Sequence, residues 1–263
     1  MEPLDDAYAN AAHIPGADDY PPRWAGRAAE FRKALESEGR ARLGLGYGQS
    51  PRQVLDLFLP KSTPKGLCVF VHGGYWLRFD KSYWSHFAAG PLAQGWAVAM
   101  PSYDLCPDVT IAQITGQIAK AIGFAAQQVK GPISLTGHSA GGHLVARMAV
   151  PGVLSDGLAA RLTSVVPISP VADLRPLLET SMNDQLRLDL AAAEAESPVL
   201  KTPIDLLINI WVGAEERPVF LDQARWLSEA WTAPLHIAPG THHFDVIDAL
   251  KDAESAMLRN VCG

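Results

Sequence analysis

Two short glycine-rich runs carry residues that could attack and stabilise a carbonyl group. The run Gly-His-Ser-Ala-Gly at 137–141 fits Gly-x-Ser-x-Gly, a pattern that presents a serine hydroxyl on a cramped turn between a strand and a helix. The run His-Gly-Gly-Tyr-Trp at 72–76 has consecutive glycines, whose main-chain N–H groups can bind an oxygen that becomes negative. Together the runs indicate acyl transfer, with Ser139 as the nucleophile.

The predicted oxyanion hole uses main-chain N–H groups from both runs. Gly73 and Gly74 supply two donors, and Ala140, directly after the serine, supplies a third. Both runs also have simpler interpretations, because a serine before a helix can be an N-cap and paired glycines can form an ordinary turn. Each run follows a short apolar segment of buried-strand type, at 66–71 and 132–136, and this context favours the catalytic interpretation.

A serine hydroxyl needs a base to remove its proton, and the base needs an acid to orient it. The expected chain order is serine, acid, histidine. Three histidines follow the helix after the serine, and His236 lies inside a strand-like segment, where a structural role is expected. His242 and His243 lie in a loop before a helix, and the residue pattern alone leaves both open as the base.

The acid is expected in the loop at 213–218, directly after a strand-like segment. Glu215 and Glu216 both lie there, and their positions barely separate them. Asp222, in the following helix, is a weaker third candidate. Asp245 competes as well, but the helix dipole already explains an aspartate at a helix start.

Strand-like and helix-like segments alternate along the chain, which predicts an α/β fold with a mostly parallel central sheet and helices on both faces. Helical spacing of apolar residues predicts helices at 24–35 and 111–129. At least seven strands are expected, at 54–59, 67–71, 96–100, 133–136, 164–168, 205–212 and 235–238. We expect one domain over residues 1–263, in which the alanine-rich segment 174–200 forms either a small cap over the cleft or an ordinary pair of surface helices.

Composition and charge argue against several classes of partner. The chain has 263 residues, 48% hydrophobic and 19% charged, with a net charge of −6, so no basic surface for nucleic acid or anionic lipid is expected. The first residues are acidic and no run of about 18 apolar residues occurs, which predicts a cytoplasmic protein. Three widely spaced cysteines, Cys68, Cys106 and Cys262, indicate neither a disulfide framework nor a zinc site.

The chain resembles the arylformamidases, or kynurenine formamidases, of the hormone-sensitive-lipase-like branch of the α/β-hydrolase fold. The similarity covers nearly the whole chain. Beyond the two glycine-rich runs it includes the turn at 103–107, the stretch 169–177, Asn183-Asp184, Ser197-Pro198, Trp24 and the segment 8–10. The esterase motifs are widely shared, whereas Tyr75-Trp76 and Asn183-Asp184 are more particular to formamidases.

The resemblance implies a role for each candidate residue. It places the nucleophile on Ser139, the base on His243 and the acid on Glu216, a position where the family has an aspartate. It implies no metal and no organic cofactor. An aromatic wall for the substrate is expected from side chains near the oxyanion run, with Tyr75 and Trp76 as binding residues and Tyr83 and Trp84 beside them.

The implied activity is hydrolysis of an aryl formamide such as N-formylkynurenine through a formyl-serine intermediate. Two alternatives stay open: a general short-chain carboxylesterase, and an inactive binding protein that keeps the same fold. The expected partner is a small-molecule acyl or formyl substrate, with neither nucleic acid nor a membrane. A homodimer is left open.

Overall fold

A computed structural model describes residues 3–263, which contain nine strands in one sheet. In chain order the strands are β1 (Ala41–Gly46), β2 (Val54–Phe58), β3 (Leu67–Val71), β4 (Ala97–Pro101), β5 (Ile133–His138), β6 (Leu162–Ile168), β7 (Leu207–Ile208), β8 (Ile210–Gly213) and β9 (Leu235–Ala238). The sheet order is β1-β2-β4-β3-β5-β6-β8-β9, and β7 pairs with β6. Pairs β1–β2 and β2–β4 are antiparallel, whereas the others are parallel.

Ten α-helices connect and flank these strands in the described part of the chain. They are α1 (Pro3–Tyr8), α2 (Tyr20–Ser37), α3 (Ala89–Ala93), α4 (Ile111–Gln128), α5 (Ala140–Met148), α6 (Asp156–Ala159), α7 (Asn183–Leu186), α8 (Leu190–Glu196), α9 (Pro218–Trp231) and α10 (Ala256–Cys262). Short 3₁₀ helices fill several loops, including Ala11–His13 and Val246–Lys251. This is the predicted α/β-hydrolase arrangement.

The core lies on both faces of the sheet because successive strand residues point to opposite faces. In β3, Leu67 and Val69 belong to the apolar cluster on one face, and Cys68 and Phe70 belong to the cluster on the other. All four side chains are buried. A strand that is covered on both faces has a continuous apolar sequence. The apolar run at 67–71 therefore predicts the bounds of β3 correctly.

Helix α4 shows how the sequence sets a helix start and a buried stripe. Thr110 accepts a hydrogen bond from the main-chain N–H of Gln113, whose side chain reaches back to the Thr110 N–H in a capping box. Ile114 and Ile118 face the sheet and are fully buried. Burial of an isoleucine side chain contributes roughly 1.5–3 kcal/mol, so this stripe fixes the helix against the sheet.

Apart from differences of one or two residues at strand ends, the sheet differs from the sequence prediction in two places. Strand β1 was not predicted because its residues alternate between partly buried and exposed, and two of its six residues are glycines. The predicted strand 205–212 is divided into β7 and β8 at Asn209. The Asn209 side chain accepts a hydrogen bond from His236 Nε2 at 2.9 Å, and its N–H still bonds to Val165 O. The interruption is therefore local and leaves the sheet order unchanged.

Candidate active site

The carboxyl ends of five neighbouring parallel strands bring the candidate residues to one edge of the sheet. Gly73 follows β3, Ser139 follows β5, Ser169 follows β6, Glu216 follows β8 and His243 follows β9. In open α/β sheets this edge is the usual position of a ligand site. Strand order thus brings together residues that are up to 170 positions apart.

Ser139 occupies a strained turn between β5 and α5. Its backbone angles are φ 57° and ψ −119°, a left-handed conformation that is costly for a residue with a side chain. The turn packs tightly against β3, because a Cβ on Gly141 would lie 2.0 Å from Val71 O. Glycine is therefore required beside the serine. Helix α5 begins at Ala140, since Ser139 itself is not helical.

The glycines after β3 lie directly against this turn. A Cβ on Gly73 would approach Ser139 Cβ to 3.0 Å, and Gly74 has a φ of 112°, which favours glycine. In residues 3–263, the N–H groups of Gly73, Gly74 and Ala140 donate to no other main-chain oxygen. Three donors near the serine hydroxyl are thus free to bind a ligand oxygen.

His72 stiffens the loop that carries these glycines. Its Nδ1 donates to Gly73 O at 2.7 Å, and its ring stacks on Tyr103 at a centroid distance of 4.3 Å. The Tyr103 hydroxyl donates to His72 O at 2.9 Å. Burial lowers the pKa of His72 to about 4, so the ring is neutral near pH 7. In the sequence, Tyr103 is marked only by the family resemblance of the turn at 103–107, and its contact with His72 depends on the tertiary structure.

Glu216 and His243 form a buried pair. His243 Nδ1 donates to Glu216 Oε2 at 2.5 Å. The other carboxylate oxygen accepts hydrogen bonds from the Gly213 N–H at 2.8 Å and from the Ser169 hydroxyl. With Nδ1 committed to the carboxylate, Nε2 is the ring nitrogen left for proton exchange. Ser169, which holds the Glu216 carboxylate in place, is not among the predicted site residues, although it lies in a stretch that carries the family resemblance.

Ser139, His243, Gly73 and Gly74 all line one cavity of about 510 Å³. The volume lies within the range of about 300–1,000 Å³ that small-molecule sites usually have. Ala140 lies beneath the surface of the cavity and is fully buried, so only its main-chain N–H can serve the site.

Comparison with known proteins identifies the family. A family model described as BD-FAE matches residues 55–188. Kynurenine formamidase of Drosophila melanogaster is 31% identical over 255 residues, which cover 88% of this chain and 84% of that protein. The chain belongs to this family. It is an arylformamidase-like α/β-hydrolase and a hydrolytic enzyme.

Solved structures agree with the fold of this arylformamidase-like chain. A crystal structure from Silicibacter sp. TM1040, provisionally described as a thioesterase, is 57% identical and superposes with a TM-score of 0.98 over 100% of both chains. Esterase B of Lactobacillus rhamnosis is 22% identical, with a TM-score of 0.65 over 97% of this chain and 99% of that chain. At this level of identity, the similarity to esterase B shows only that the two proteins share a fold.

The other candidate acids of the arylformamidase-like chain lie elsewhere. Glu215 is exposed to solvent. Asp222 pairs with Arg225 at 3.2 Å on the surface of α9. Asp245 accepts a hydrogen bond from the His242 N–H at 2.8 Å, a local contact at the start of the helical turn that follows. Only Glu216 among these four carboxylates reaches the His243 ring.

The other candidate histidines have different partners. His242 Nε2 lies 3.1 Å from the Tyr20 hydroxyl, and its Nδ1 accepts from the Phe244 N–H. His236 lies in β9, donates to Asn209 and stacks on Trp211. The expected structural role of His236 is therefore consistent with its contacts.

The aromatic wall differs in part from the prediction. Tyr75 and Trp84 line the cavity, as expected from their position near the oxyanion run. Trp76 does not: its side chain is fully buried behind the loop and packs edge-on against His143 at 5.0 Å. Its assignment to substrate binding is corrected to core packing. Tyr83 packs on Phe79 outside the wall. Adjacent residues of this loop point in opposite directions, and the sequence could not assign them.

The N-terminal segment, residues 5–24, forms much of the cavity wall, which the sequence analysis does not predict. Tyr75 donates a hydrogen bond of 2.7 Å to Tyr8 O, and Gln223 of α9 donates one of 2.9 Å to the Tyr8 hydroxyl. Arg217, next to the acid, pairs with Asp6 at 2.8 Å. These contacts tie the segment to both the oxyanion loop and the acid loop. The only signal in the sequence was the resemblance at 8–10.

Segment 174–200 contains α7, α8 and two 3₁₀ helices. Of its residues, Ser181 and Met182 line the cavity. Helix α8 is held by the core, where Glu196 pairs with Arg147 at 3.1 Å. Asn183 closes a local loop through two hydrogen bonds to Leu188. A small cap over the cleft at this segment stays a prediction.

Residues 3–263 contain no group of three or more His, Cys, Asp or Glu side chains arranged to hold a metal ion. Their three cysteines are free thiols, of which Cys68 and Cys106 are buried. Among the described helices, none is both long enough and apolar enough to cross a bilayer.

Proposed function

We propose that this hydrolase cleaves aryl formamides, such as N-formylkynurenine, through a formyl-serine intermediate. The observation that carries the mechanism is the buried Glu216–His243 pair, 2.5 Å apart, at the cavity that Ser139 also lines. The substrate class is supported by the kynurenine formamidases, which are similar along most of the chain. The cavity adds aromatic side chains that suit an aryl group, among them Trp24, Phe79 and Trp84.

In the first step, Ser139 Oγ attacks the formyl carbon while His243 Nε2 takes the hydroxyl proton. Glu216 stabilises the imidazolium that forms, because its carboxylate already accepts the hydrogen bond from Nδ1. The carbonyl oxygen becomes an oxyanion and accepts hydrogen bonds from N–H groups of Gly73, Gly74 and Ala140. Loss of one such donor typically costs about 3 kcal/mol of transition-state stabilisation.

The tetrahedral intermediate then collapses. The C–N bond breaks, the aryl amine leaves, and its nitrogen receives the proton from His243 Nε2. A water molecule next attacks the formyl-serine, with His243 again as base, and formate leaves as the serine is restored. As the bond from the formyl carbon to Ser139 Oγ breaks, His243 Nε2 returns the proton taken from water to Oγ, so every proton moves between Ser139, the substrate, water and His243.

Proton delivery matters more for this substrate than for an ester. An aniline is a poorer leaving group than most alcohols, so it must be protonated as the C–N bond breaks. The tight contact between Glu216 and His243 holds the imidazole in the tautomer that can do this. The pair can therefore support protonation of an amide nitrogen.

A second candidate is hydrolysis of short-chain esters or thioesters. It is favoured by one observation, the 57% identical protein that is provisionally described as a thioesterase. The same residues would act in the same order, but the leaving group would carry no N–H.

The test compares hydrolysis of N-formylkynurenine with that of p-nitrophenyl acetate, and Ser139→Ala serves as the blank. We expect a higher kcat/KM for the formamide and loss of both activities in the variant. Efficient turnover of the ester with hardly any turnover of the formamide would make the esterase the correct assignment.

A further inference from the structure

Arg78 is the only lysine or arginine among the described residues that line the active-site cavity. The residue is exposed to solvent, and within residues 3–263 it forms no ion pair. Asp5 and Asp18 line the same cavity, yet neither of these carboxylates pairs with it. Arg175, by contrast, pairs with Asp173 at 2.6 Å. The positive charge of Arg78 is therefore available to a ligand.

The backbone of Arg78 lies against the proposed oxyanion loop. Its main-chain N–H donates to Gly74 O at 3.2 Å, and a Cβ on Gly74 would lie 2.5 Å from Arg78 O. Gly74 is one of the glycines whose N–H groups are proposed to bind the carbonyl oxygen of the substrate. The guanidinium group of Arg78 is therefore no farther from this loop than the length of one arginine side chain.

The guanidinium group also lies beside the aromatic part of the cavity. Its central carbon is 5.8 Å from the centroid of the Phe79 ring, close enough for a cation–π contact. Phe79 packs edge-on against Trp24 at 6.3 Å and against Trp84 at 5.8 Å, and all three side chains line the cavity. These are the side chains proposed to hold an aryl group, so an aryl substrate bound there has the positive charge of Arg78 next to its ring.

The cavity runs from a buried reacting end to an exposed charged end. Ser139 and His243 are each only 3% exposed, whereas Arg78 is open to solvent. A substrate that offers its acyl group to Ser139 directs its other end outwards. Without Arg78 an anion there would be repelled, because the chain has a net charge of −6 and the other formal charges on the described wall are two carboxylates. The planar guanidinium group can bind both oxygens of a carboxylate.

We propose that Arg78 is a specificity residue that binds a carboxylate at the end of the substrate remote from the scissile bond. N-formylkynurenine carries such a carboxylate on the side chain of its ring, so this inference rests on the proposed function and adds a residue to it. An aryl formamide without the acid would use the same reacting groups and lose only the contact with Arg78. The site would then select acidic aryl substrates over neutral ones.

The kinetic test compares N-formylkynurenine with 2′-formamidoacetophenone, which keeps the formamide, the ring and the ketone but lacks the amino-acid end. In Arg78→Met we expect KM for N-formylkynurenine to rise about tenfold, and KM for the neutral compound to stay within about twofold. Arg78→Lys keeps the charge and should recover part of the loss. Arg225→Met is the matched control, because Arg225 is exposed on α9 outside the cavity. Equal effects on both substrates, or none on N-formylkynurenine, would overturn the role of Arg78 and leave the proposed function intact.

A binding test separates the inference from the proposed function. Calorimetry with Ser139→Ala measures the same two formamides and a matched pair of esters, 4-(2-acetoxyphenyl)-4-oxobutanoate and 2′-acetoxyacetophenone. In either pair we expect the acid to bind about tenfold more tightly than the neutral compound, and Arg78→Met to remove this difference. That result with the esters would support Arg78 even if the wild-type enzyme proved to hydrolyse only esters. A carboxylate that brings no gain in either pair, or a gain that persists in Arg78→Met, would overturn the inference whatever the enzyme hydrolyses.

Discussion

The Tyr75 hydroxyl donates a 2.7 Å hydrogen bond to the main-chain oxygen of Tyr8. This bond joins the loop of the proposed oxyanion hole to the N-terminal segment that closes the cavity. Both residues are buried, and Tyr8 packs edge-on against Phe220 at 6.0 Å. The 72–76 loop and the cavity wall are therefore one connected unit, although Tyr8 and Tyr75 are 67 positions apart in the chain.

Tyr75→Phe should loosen this unit. The change removes one of two donors to the Tyr8 oxygen, which keeps only the 3.1 Å hydrogen bond from the Asn10 N–H. We expect the free energy of unfolding to fall by about 1 kcal/mol, the net contribution of one hydrogen bond. KM for the formamide should rise because the wall is held less firmly. Urea unfolding and steady-state kinetics measure the two effects. Tyr83→Phe is the control, since Tyr83 lies outside the wall; equal effects in both variants would contradict the proposed link.

The two neighbouring glutamates provide a second prediction. In Glu216→Gln the amide cannot accept from His243 Nδ1 and from both donors on Oε1 at once, so the imidazole loses its tautomer and its charge partner. We expect kcat to fall about 10⁴-fold. Glu215→Gln should stay within about twofold of the wild type, because Glu215 is exposed. Comparable losses in both variants would show that the acid is assigned wrongly.

The adjacent histidines can be separated in the same way. His243→Ala removes the proposed base, and kcat should fall by about 10⁴-fold or more. His242→Ala removes the contact with Tyr20, and the loss of activity should be at most a few-fold. Single-turnover measurements with the formamide compare the two directly. A larger loss in His242→Ala would exchange their roles.

Stability should decline below pH 6.5. Burial lowers the pKa of His86, which lies far from Ser139 in sequence and outside the cavity wall, to about 4. Between pH 6.5 and pH 4 the unfolded chain binds a proton there that the folded protein does not, so the free energy of unfolding falls as pH falls. One such histidine contributes about 1.4 kcal/mol per pH unit across this window. His72 and His143 add in the same direction, since burial lowers their pKa values to about 4 as well.

Urea unfolding of His86→Leu at pH 7, 6, 5 and 4 measures this contribution. The slope of unfolding free energy against pH should be shallower than in the wild type by about 1.4 kcal/mol per unit, because one proton is no longer taken up on unfolding. An unchanged slope would mean that His86 is protonated in the folded protein.

Much of the architecture could be read from local patterns. The continuous apolar run of β3, the isoleucine stripe of α4 and the glycines around Ser139 each depend on residues close in sequence, where strand periodicity, capping and steric limits act. The sequence does not predict strand β1, because two of its residues are glycines and every second residue is exposed, which gives a weak local signal. Its pairing with β2 supplies the stabilisation that the local sequence lacks.

By itself, then, the sequence determined the fold class and the strained serine turn, and it predicted the chemistry that such a turn serves. The tertiary structure decided which of two adjacent carboxylates meets His243, that Trp76 packs in the core, and that the N-terminal segment walls the cavity. Adjacent residues differ in side-chain direction rather than in local pattern, and a distant segment becomes a neighbour only when strands and loops pack. These arrangements depend on contacts between residues far apart in the chain, which a local sequence pattern does not indicate.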